Sequence, residues 1–344
     1  MTGVSQATVS VVLNGRSESE VRIAPETRDR VLRAIAETGY VADPVARRLA
    51  ARHNKIIGVF TYESVFPSAN SDFYHPFLVG IEQRAETIGC DLLLLTSAPV
   101  VDGRRRIFHE DNRLRLADGC VLLGRSLDRA ELTRLVADEL SFVSIGRRDD
   151  AGGPVPYVGA DYPTAVAALV HRAVSLGHTR LAYLGHGTGP ESWADRMLGF
   201  RNALADTGAY GLHLPLPSAG DPHPATSQSS AEIETYEDVD HERVLAAIIK
   251  AKITAVFAED HADGVVLHQL AAERGVPLSI ATLGEPMRAA SPINVEFSGF
   301  RIPREQMGSE AVEVLAALIE GSPTDIQRLL HCELVVGETL TERK

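Results

Sequence analysis

Short apolar runs alternate with longer amphipathic stretches along most of the chain after residue 55. Runs at Ile56–Phe60, Asp91–Leu95 and Gly119–Leu123 have the length of buried strands, and the alternation resumes with Arg180–Leu184 and Ala255–Ala258. Parallel strands need a crossover connection, usually a helix, so two such sets predict two α/β lobes with parallel sheets. Ligands of open parallel sheets bind beyond the carboxyl ends of the strands, so we expect the pocket in a cleft between the lobes.

The segment from Gly3 to Gly15 has the pattern of a tight turn followed by a short helix. Gly3 suits the turn, Ser5 is a favourable N-cap, and Asn14-Gly15 is a typical helix end. Four apolar residues between them fall at helical spacing: Val4, Val9, Val12 and Leu13. Taken alone, these residues are equally compatible with an ordinary amphipathic helix.

A second helix is predicted to open at Ala24-Pro25, where proline has a favoured first-turn position, and to end at Gly39. Three groups of residues then closely resemble, in order and spacing, the lactose-repressor (LacI-type) family of bacterial transcription factors. They are Gly3-Val4-Ser5 with Thr8-Val9-Ser10 and Leu13-Asn14, then Gly39-Tyr40, then Val45-Ala46 with Leu49-Ala50. The matching segments Gly177–Leu181 and Arg196–Phe200 carry the resemblance into the rest of the chain.

The resemblance implies a small all-α head on a two-lobed α/β body with parallel sheets, similar to periplasmic sugar-binding proteins. A helix-turn-helix DNA-binding domain is expected at 1–42, a hinge helix and linker at 43–55, and an effector-binding and dimerisation domain at 56–335. The lobes of that domain are expected at about 56–155 with 287–320 for the N-terminal lobe, and about 156–286 with 321–340 for the C-terminal lobe.

In that family the helix-turn-helix binds double-stranded operator DNA, and a leucine of the hinge helix wedges a base step apart in the minor groove. Leu49 matches that leucine. The residues expected to contact DNA are Ser5, Gln6, Ala7, Thr8, Ser10, Val11, Asn14, Tyr40, Ala46, Arg47 and Leu49. Family members carry a further helix before the position of Gly3, so the head is expected to lack its first helix and to be N-terminally truncated. Either the start is assigned too late, or the chain is a truncated protein that binds DNA poorly.

The charge distribution is uneven. The net charge is −12, but residues 1–55 carry +3 (nine Lys and Arg, six Asp and Glu) and the remainder carries −15. A small basic head on an acidic body is typical of a regulator that touches DNA through one end.

The cysteines, Cys90, Cys120 and Cys332, lack metal-ligand spacing and are predicted to be reduced core residues, and no cofactor or metal is expected. Without a signal peptide or an apolar run of about 18 residues, a cytoplasmic protein is expected, with no membrane contact.

Candidate effector-binding residues follow predicted strands or match family positions. They are Asp72, Phe73, Tyr74, Arg125, Arg147, Asp161, Arg196, Glu259, Asp260 and Glu285. The resemblance implies that Phe73 and Tyr74 stack on an effector ring, and that Arg196 fixes hydroxyls or carboxylates with its fork of donors. Packing within the protein is the alternative at each position. A small polar effector such as a sugar is expected, although the convergence of Arg125, Arg147 and Arg196 also motivates the hypothesis of an anionic ligand.

Other classes of function find little support in the sequence. The segment Gly185–Gly189 lacks the spacing of phosphate-binding loops, and neither a GxSxG nor an HExxH motif occurs, so an enzyme is not expected. We therefore predict a homodimeric, sequence-specific transcriptional regulator, a repressor controlled allosterically by its effector. The alternative is a cytoplasmic sugar-binding protein whose DNA binding is impaired by the N-terminal truncation.

Overall fold

A computed structural model of the chain describes residues 3–5, 8–9, 12, 23–38, 54–63, 68–101, 104–110, 113–125, 127–216, 240–284 and 295–343. The chain divides into two compact units, Met1–Asn54 and Lys55–Lys344. The helices are α1 (Pro25–Thr38), α2 (Ser68–Thr87), α3 (Arg129–Ala137), α4 (Tyr162–Ser175), α5 (Glu191–Thr207), α6 (His241–Lys250), α7 (His261–Glu273) and α8 (Arg304–Glu320). The strands are β1 (Ile56–Thr61), β2 (Asp91–Leu95), β3 (Val100–Val101), β4 (Arg104–Arg105), β5 (Gly119–Leu123), β6 (Phe142–Ile145), β7 (Tyr157–Ala160), β8 (Arg180–Leu184), β9 (Tyr210–Leu214), β10 (Ala255–Ala258), β11 (Ser279–Thr282), β12 (Gly299–Arg301), β13 (Gln327–Leu330) and β14 (Glu333–Val335).

In the first unit the predicted N-cap is confirmed. The Ser5 hydroxyl accepts the backbone N–H of Thr8 at 3.2 Å, and Gly3 has a φ of +65°, which favours glycine. The second predicted helix is confirmed as α1, whose Val31 is fully buried. The hinge helix and most of the predicted DNA contacts lie outside the described residues, namely Gln6, Ala7, Ser10, Val11, Asn14, Tyr40, Ala46, Arg47 and Leu49.

The second unit contains two parallel sheets, as the alternating pattern predicts. The first sheet has the strand order β13-β7-β6-β5-β1-β2 and the second has the order β11-β10-β8-β9, and all neighbours are parallel. β1 is buried along its whole length, because a central parallel strand is covered on both faces. We call the first sheet with α2, α3 and α8 the first lobe, and the second sheet with α4 to α7 the second lobe.

The lobe boundaries differ from the predicted ones. The prediction that 156–286 and 321–340 lie in the C-terminal lobe is wrong for β7 and β13, which both belong to the first sheet. Ile145 of β6 pairs with Val158 of β7, and β13 pairs with β7 along its length. Backbone pairing on both sides keeps β7 in the first sheet, with β6 just before it in the chain and β13 far after it, so the boundaries implied by the family resemblance do not hold here. The chain therefore leaves the first lobe after Ala160, returns to it between β11 and α8, and leaves it again after Leu330.

Two helices of the first lobe have features that the sequence analysis does not identify. α2 contains Pro76 in its interior. Proline removes one backbone hydrogen bond there, and the burial of Phe77 and Ile81 on the same helix offsets that loss. The sequence pattern does not predict α8, which packs against α2 in the first lobe.

The structure also shows the state of the cysteine thiols and how long and apolar the helices are. The three cysteines are free, and burial raises the pKa of Cys120 to about 12 and that of Cys332 to about 11. Across the described ranges, no helix is both long and apolar enough to cross a membrane.

The last residues of the chain are fastened to the second lobe by His178. Its Nε2 lies 2.8 Å from the carbonyl oxygen of Thr341, and its Nδ1 lies 3.0 Å from the Thr254 hydroxyl. The ring is almost fully buried, and burial lowers the pKa of His178 from its ordinary value of 6.5. The neutral imidazole is therefore part of the folded state.

Two glycines allow α2 and α8 to touch backbone to backbone. A Cβ atom added at Gly80 would overlap the carbonyl group of Glu305, and one added at Gly308 would overlap the carbonyl oxygen of Phe77. No side-chain layer separates the two helices at this crossing, so neither position has room for a methyl group.

We expect Gly80→Ala to lower the free energy of unfolding by about 2 kcal/mol or more, because overpacking outweighs the gain of about 1 kcal/mol in helix propensity. Denaturant unfolding of the variant and the parent chain measures the difference. The control is Gln83→Ala on the exposed face of the same helix, which should change stability by about 0.5 kcal/mol or less. Equal stability of Gly80→Ala and the parent chain would show that the helices are not in backbone contact.

We also expect the free energy of unfolding to fall as the pH is lowered below about 6.5. His178 has a lowered pKa in the folded chain, so the unfolded chain binds more protons in that range, and stability must decrease as protons are added. Urea unfolding at pH 7 and at pH 5.5 measures the effect, and His178→Asn should reduce the difference between the two pH values. An unchanged difference in that variant would exclude His178 as a source of the pH dependence.

Candidate functional site

The carboxyl ends of both parallel sheets open into one cleft. Arg147 follows β6 in the first lobe, and its Nε lies 2.7 Å from Asp195 Oδ2 on α5 of the second lobe. This contact shows that the two carboxyl edges face each other. The predicted pocket falls at this junction of the two lobes, and its use by a ligand stays a prediction.

Glu259, directly after β10, is held by the Gly-rich segment. Its Oε2 accepts the backbone N–H groups of His186 at 2.6 Å and of Gly187 at 3.2 Å. A Cβ atom at Gly185 would overlap the same carboxylate, so a glycine is needed where the loop wraps around it. The loop thus uses its N–H groups on a carboxylate of the protein itself, and not on a phosphate.

The other oxygen of that carboxylate is buried beside Tyr183. Glu259 is only 6% exposed, and neither its Oε1 nor the Tyr183 hydroxyl makes a hydrogen bond of ordinary geometry among the residues that the structure describes. Burial raises the pKa of Tyr183, and the neighbouring Glu259 carboxylate raises it further. Burial raises the pKa of Glu259, and the charge of Arg196 opposes that rise. Since an unsatisfied buried acceptor is costly, a ligand hydroxyl or amine that donates to Glu259 would be stabilised.

Arg196 is fixed against the second lobe from three sides. Its Nε donates to the carbonyl oxygen of Leu283 at 2.8 Å, and its Nη1 donates to the carbonyl oxygen of Ser192 at 2.9 Å. The guanidinium lies over the ring of Tyr162, with 3.9 Å between its central carbon and the ring centroid. The predicted effector arginine is therefore preorganised beside Glu259, with its orientation set by the protein.

His186 and Trp193 form an aromatic pair that the sequence analysis does not identify. Their rings are stacked, with centroids 4.1 Å apart and an angle of 9°. His186 Nδ1 also lies 3.8 Å from Glu259 Oε2. The signal available in the sequence is the single tryptophan of the chain, placed in the first turn of a helix that follows a Gly-rich loop.

On the first lobe, Phe73 and Tyr74 have different surroundings. Tyr74 is 1% exposed and donates its hydroxyl to the carboxylate of Glu63, so its ring offers no stacking surface. Phe73 is only partly buried, and the guanidinium carbon of Arg125 lies 5.2 Å from its ring centroid. Of the two predicted aromatic residues, Phe73 alone presents part of its ring outside the core.

Arg147 and its neighbour Arg148 are engaged by carboxylates. Arg147 pairs with Asp195 and also with Asp149, at 2.6 Å. Arg148, which sequence reasoning missed, is 3% exposed and its Nη1 lies 3.2 Å from Glu191 Oε2. The signal in the sequence is the spacing of Glu191 and Asp195, which puts both carboxylates on one face of α5.

The remaining predicted residues lie at helix starts or outside the description. Asp161 caps α4, where its Oδ1 accepts the N–H of Thr164 at 3.1 Å, and Asp260 caps α7, where its Oδ1 accepts the N–H of Ala262 at 2.7 Å. Asp72 lies in α2, one residue before Phe73. Glu285 lies outside the described residues. Within the described part of the chain, no group of three or more His, Cys, Asp or Glu side chains is arranged to hold a metal ion.

Three family models match the chain. The model for "Bacterial regulatory proteins, lacI family" matches residues 1–43, and that for "Periplasmic binding proteins and sugar binding domain of LacI family" matches residues 62–232. A "Periplasmic binding protein-like domain" model matches residues 170–340. Together the three models cover most of both units.

Known proteins match over nearly the whole length. The chain is similar to the HTH-type transcriptional regulator CelR of Thermobifida fusca, with 27% identity covering 98% of this chain and 96% of that protein. Among solved structures it is similar to the lac repressor dimer bound to operator and the anti-inducer ONPF, with a TM-score of 0.67, 18% identity, and 99% and 96% of the two chains covered. A CelR–cellobiose complex matches with a TM-score of 0.60, 24% identity, and 98% and 97% coverage.

Three findings point to the same family. They are the family models at both ends of the chain, the full-length similarity to a transcriptional regulator, and the shared two-lobed fold. The chain belongs to the LacI family of bacterial regulatory proteins and is a DNA-binding transcriptional regulator, not an enzyme.

Proposed function

We propose that this chain is a transcriptional repressor that binds a near-palindromic operator in the cytoplasm and is controlled by an uncharged, polyhydroxylated effector such as a sugar. DNA binding is assigned to residues 1–42 with the hinge at 43–55, and effector binding to the cleft of the second unit. The observation that carries the proposal is a fixed arginine, Arg196, close to a buried carboxylate, Glu259, whose Oε1 makes no hydrogen bond of ordinary geometry within the described part of the chain.

The balance of charge in the cleft favours an uncharged ligand over an anion. Arg147 is paired with two carboxylates, Arg148 is paired with Glu191, and Arg196 is close enough to Glu259 to oppose the rise of its pKa. An anionic ligand would have to displace one of these carboxylates. A sugar instead donates hydroxyl hydrogens to Glu259 and accepts hydrogen bonds from Arg196, and its CH face can pack on the partly exposed ring of Phe73. The cellobiose complex of CelR supports a ligand of this class.

A homodimer is supported by exposed apolar side chains at the edge of the first sheet. Leu92 on the edge strand β2 is 40% exposed, and Val100 on the neighbouring β3 is 63% exposed. An unpaired edge strand with apolar neighbours is a favourable surface for a second copy. Two copies would present two DNA-binding heads, as a near-palindromic operator requires.

We expect Glu259→Gln to weaken sugar binding by about tenfold or more, because an amide turned toward the ligand replaces an acceptor with a donor. Calorimetric titration with cellobiose, ribose and gluconate measures the affinities, and the neutral sugar that the parent chain binds most tightly is used for the comparison. Glu273→Gln, at the end of α7, is the matched control and should leave the affinity unchanged. Preferential binding of gluconate by the parent chain would refute the uncharged-ligand proposal.

We expect Leu49→Ala to reduce operator affinity by about tenfold or more and to leave sugar affinity unchanged, because the wedge that kinks the base step is removed. The probe is a duplex selected by the protein from a random pool, and fluorescence anisotropy at fixed salt measures the affinity. Leu32→Ala is the control, since this leucine is exposed on α1. If Leu49→Ala bound the operator as tightly as the parent chain, the minor-groove wedge would have to be abandoned.

A further inference from the structure

Two acidic residues on one helix of the second lobe meet two consecutive arginines of the first lobe. Glu191 and Asp195 lie one turn apart on α5, so their side chains project from the same face. Asp195 Oδ2 lies 2.7 Å from Arg147 Nε, and Glu191 Oε2 lies 3.2 Å from Arg148 Nη1. Glu191 Oε1 also accepts the backbone N–H of Asp149 at 3.4 Å. Three polar contacts therefore join the lobes across the cleft.

The first-lobe side of these contacts is rigid. Arg148 Nη2 donates to the carbonyl oxygen of Gly124 at 2.7 Å and to that of Ile145 at 3.4 Å. Burial lowers the pKa of Arg148, and the charge of Glu191 opposes that change. Because Arg148 is anchored to two carbonyl oxygens of its own lobe, a movement of Glu191 cannot be absorbed by a swing of the arginine side chain.

The contacts are also sheltered from water. Asp195 and Arg148 are 6% and 3% exposed, and charge-assisted hydrogen bonds are stronger in such surroundings than at the surface. Removal of one partner would leave a buried charge without compensation, which costs more than the loss of an exposed ion pair. The pairs thus favour the arrangement in which the two lobes are close.

The same turn of α5 carries part of the effector site. Trp193 stacks on His186, and Arg196 follows Asp195 directly and lies beside Glu259. A ligand that moves Arg196 or Trp193 must move the helix turn that holds Glu191 and Asp195. The ion pairs and the effector contacts therefore share one short rigid segment.

We propose that Arg147–Asp195 and Arg148–Glu191 form an interlobe clasp, which holds the two lobes together at the cleft and transmits a displacement of α5 to the first lobe. The inference deepens the proposed function, on which it rests, because the cleft held by the clasp is the proposed effector site. It assigns a positioning role to Arg147, where the sequence suggests a direct effector contact.

The test uses the ligand-free full chain, so its failure leaves the proposed effector site and operator binding standing. Trp193 is the single tryptophan, and acrylamide quenching of its fluorescence reports its accessibility. Small-angle X-ray scattering reports lobe separation. Asp195→Asn and Arg147→Gln are each expected to raise both the quenching constant and the radius of gyration. The reason is an expected increase of about fivefold in the ratio of open to closed molecules. The double variant is expected to show no further shift, because both changes remove the same contact.

Glu310→Gln is the matched control. It breaks an ion pair of similar length, 3.3 Å from Arg328 Nη1, inside the first lobe, and should leave both readings unchanged. A further arm keeps the test independent of any folding defect in Asp195→Asn: Glu191→Gln removes the second ion pair and is expected to raise both readings. Single variants that match the parent chain, strictly additive effects in the double variant, or an equal response of Glu310→Gln would each overturn the clasp.

Discussion

The parallel pairing of β7 with β6 and of β13 with β7 is the constraint on which the rest of the second unit depends. It keeps the chain in the first sheet until Ala160 and returns it there for Gln327–Leu330. Both sheets therefore turn their carboxyl edges toward the same space, where loops are free to carry chemistry. Glu259, Arg196 and the interlobe ion pairs all depend on this arrangement, because each follows a strand or begins a helix at that edge.

The cleft illustrates how one local motif can be used in opposite ways. Backbone N–H groups in a Gly-rich turn form a concave site for anions, and many proteins use that site for phosphate. Here a glutamate of the protein fills it through Oε2. The positive end of the turn is thereby neutralised by the protein itself, so these two N–H groups are not free to bind an external anion.

Local patterns predicted local features correctly. The buried runs of β1, β5 and β10, the helix at Pro25 and the N-cap at Ser5 all depend on periodicity and capping, which are properties of neighbouring residues. The lobe boundary was wrong because strand partners far apart in sequence leave no mark on spacing.

The candidate site was predicted only in part for the same physical reason. Arg196 and Glu259 lie in the cleft, but their partners are distant in sequence. Nothing near Arg147 in the chain indicates that Asp195 will neutralise it, and Arg148 was missed because its partner, Glu191, is 43 residues away. Most of the predicted DNA contacts lie outside the described residues, so they stand as predictions.

The contact of α2 with α8 has a mechanical consequence. Packed side chains can slide and change rotamers, which lets helices shear past each other by small steps. At Gly80 and Gly308 the two backbones meet with no layer of side chains between them. The two helices are therefore expected to move together as one rigid body. Deformation of the second unit is then expected in the three connections between the lobes, which lie after Ala160, between β11 and α8, and after Leu330.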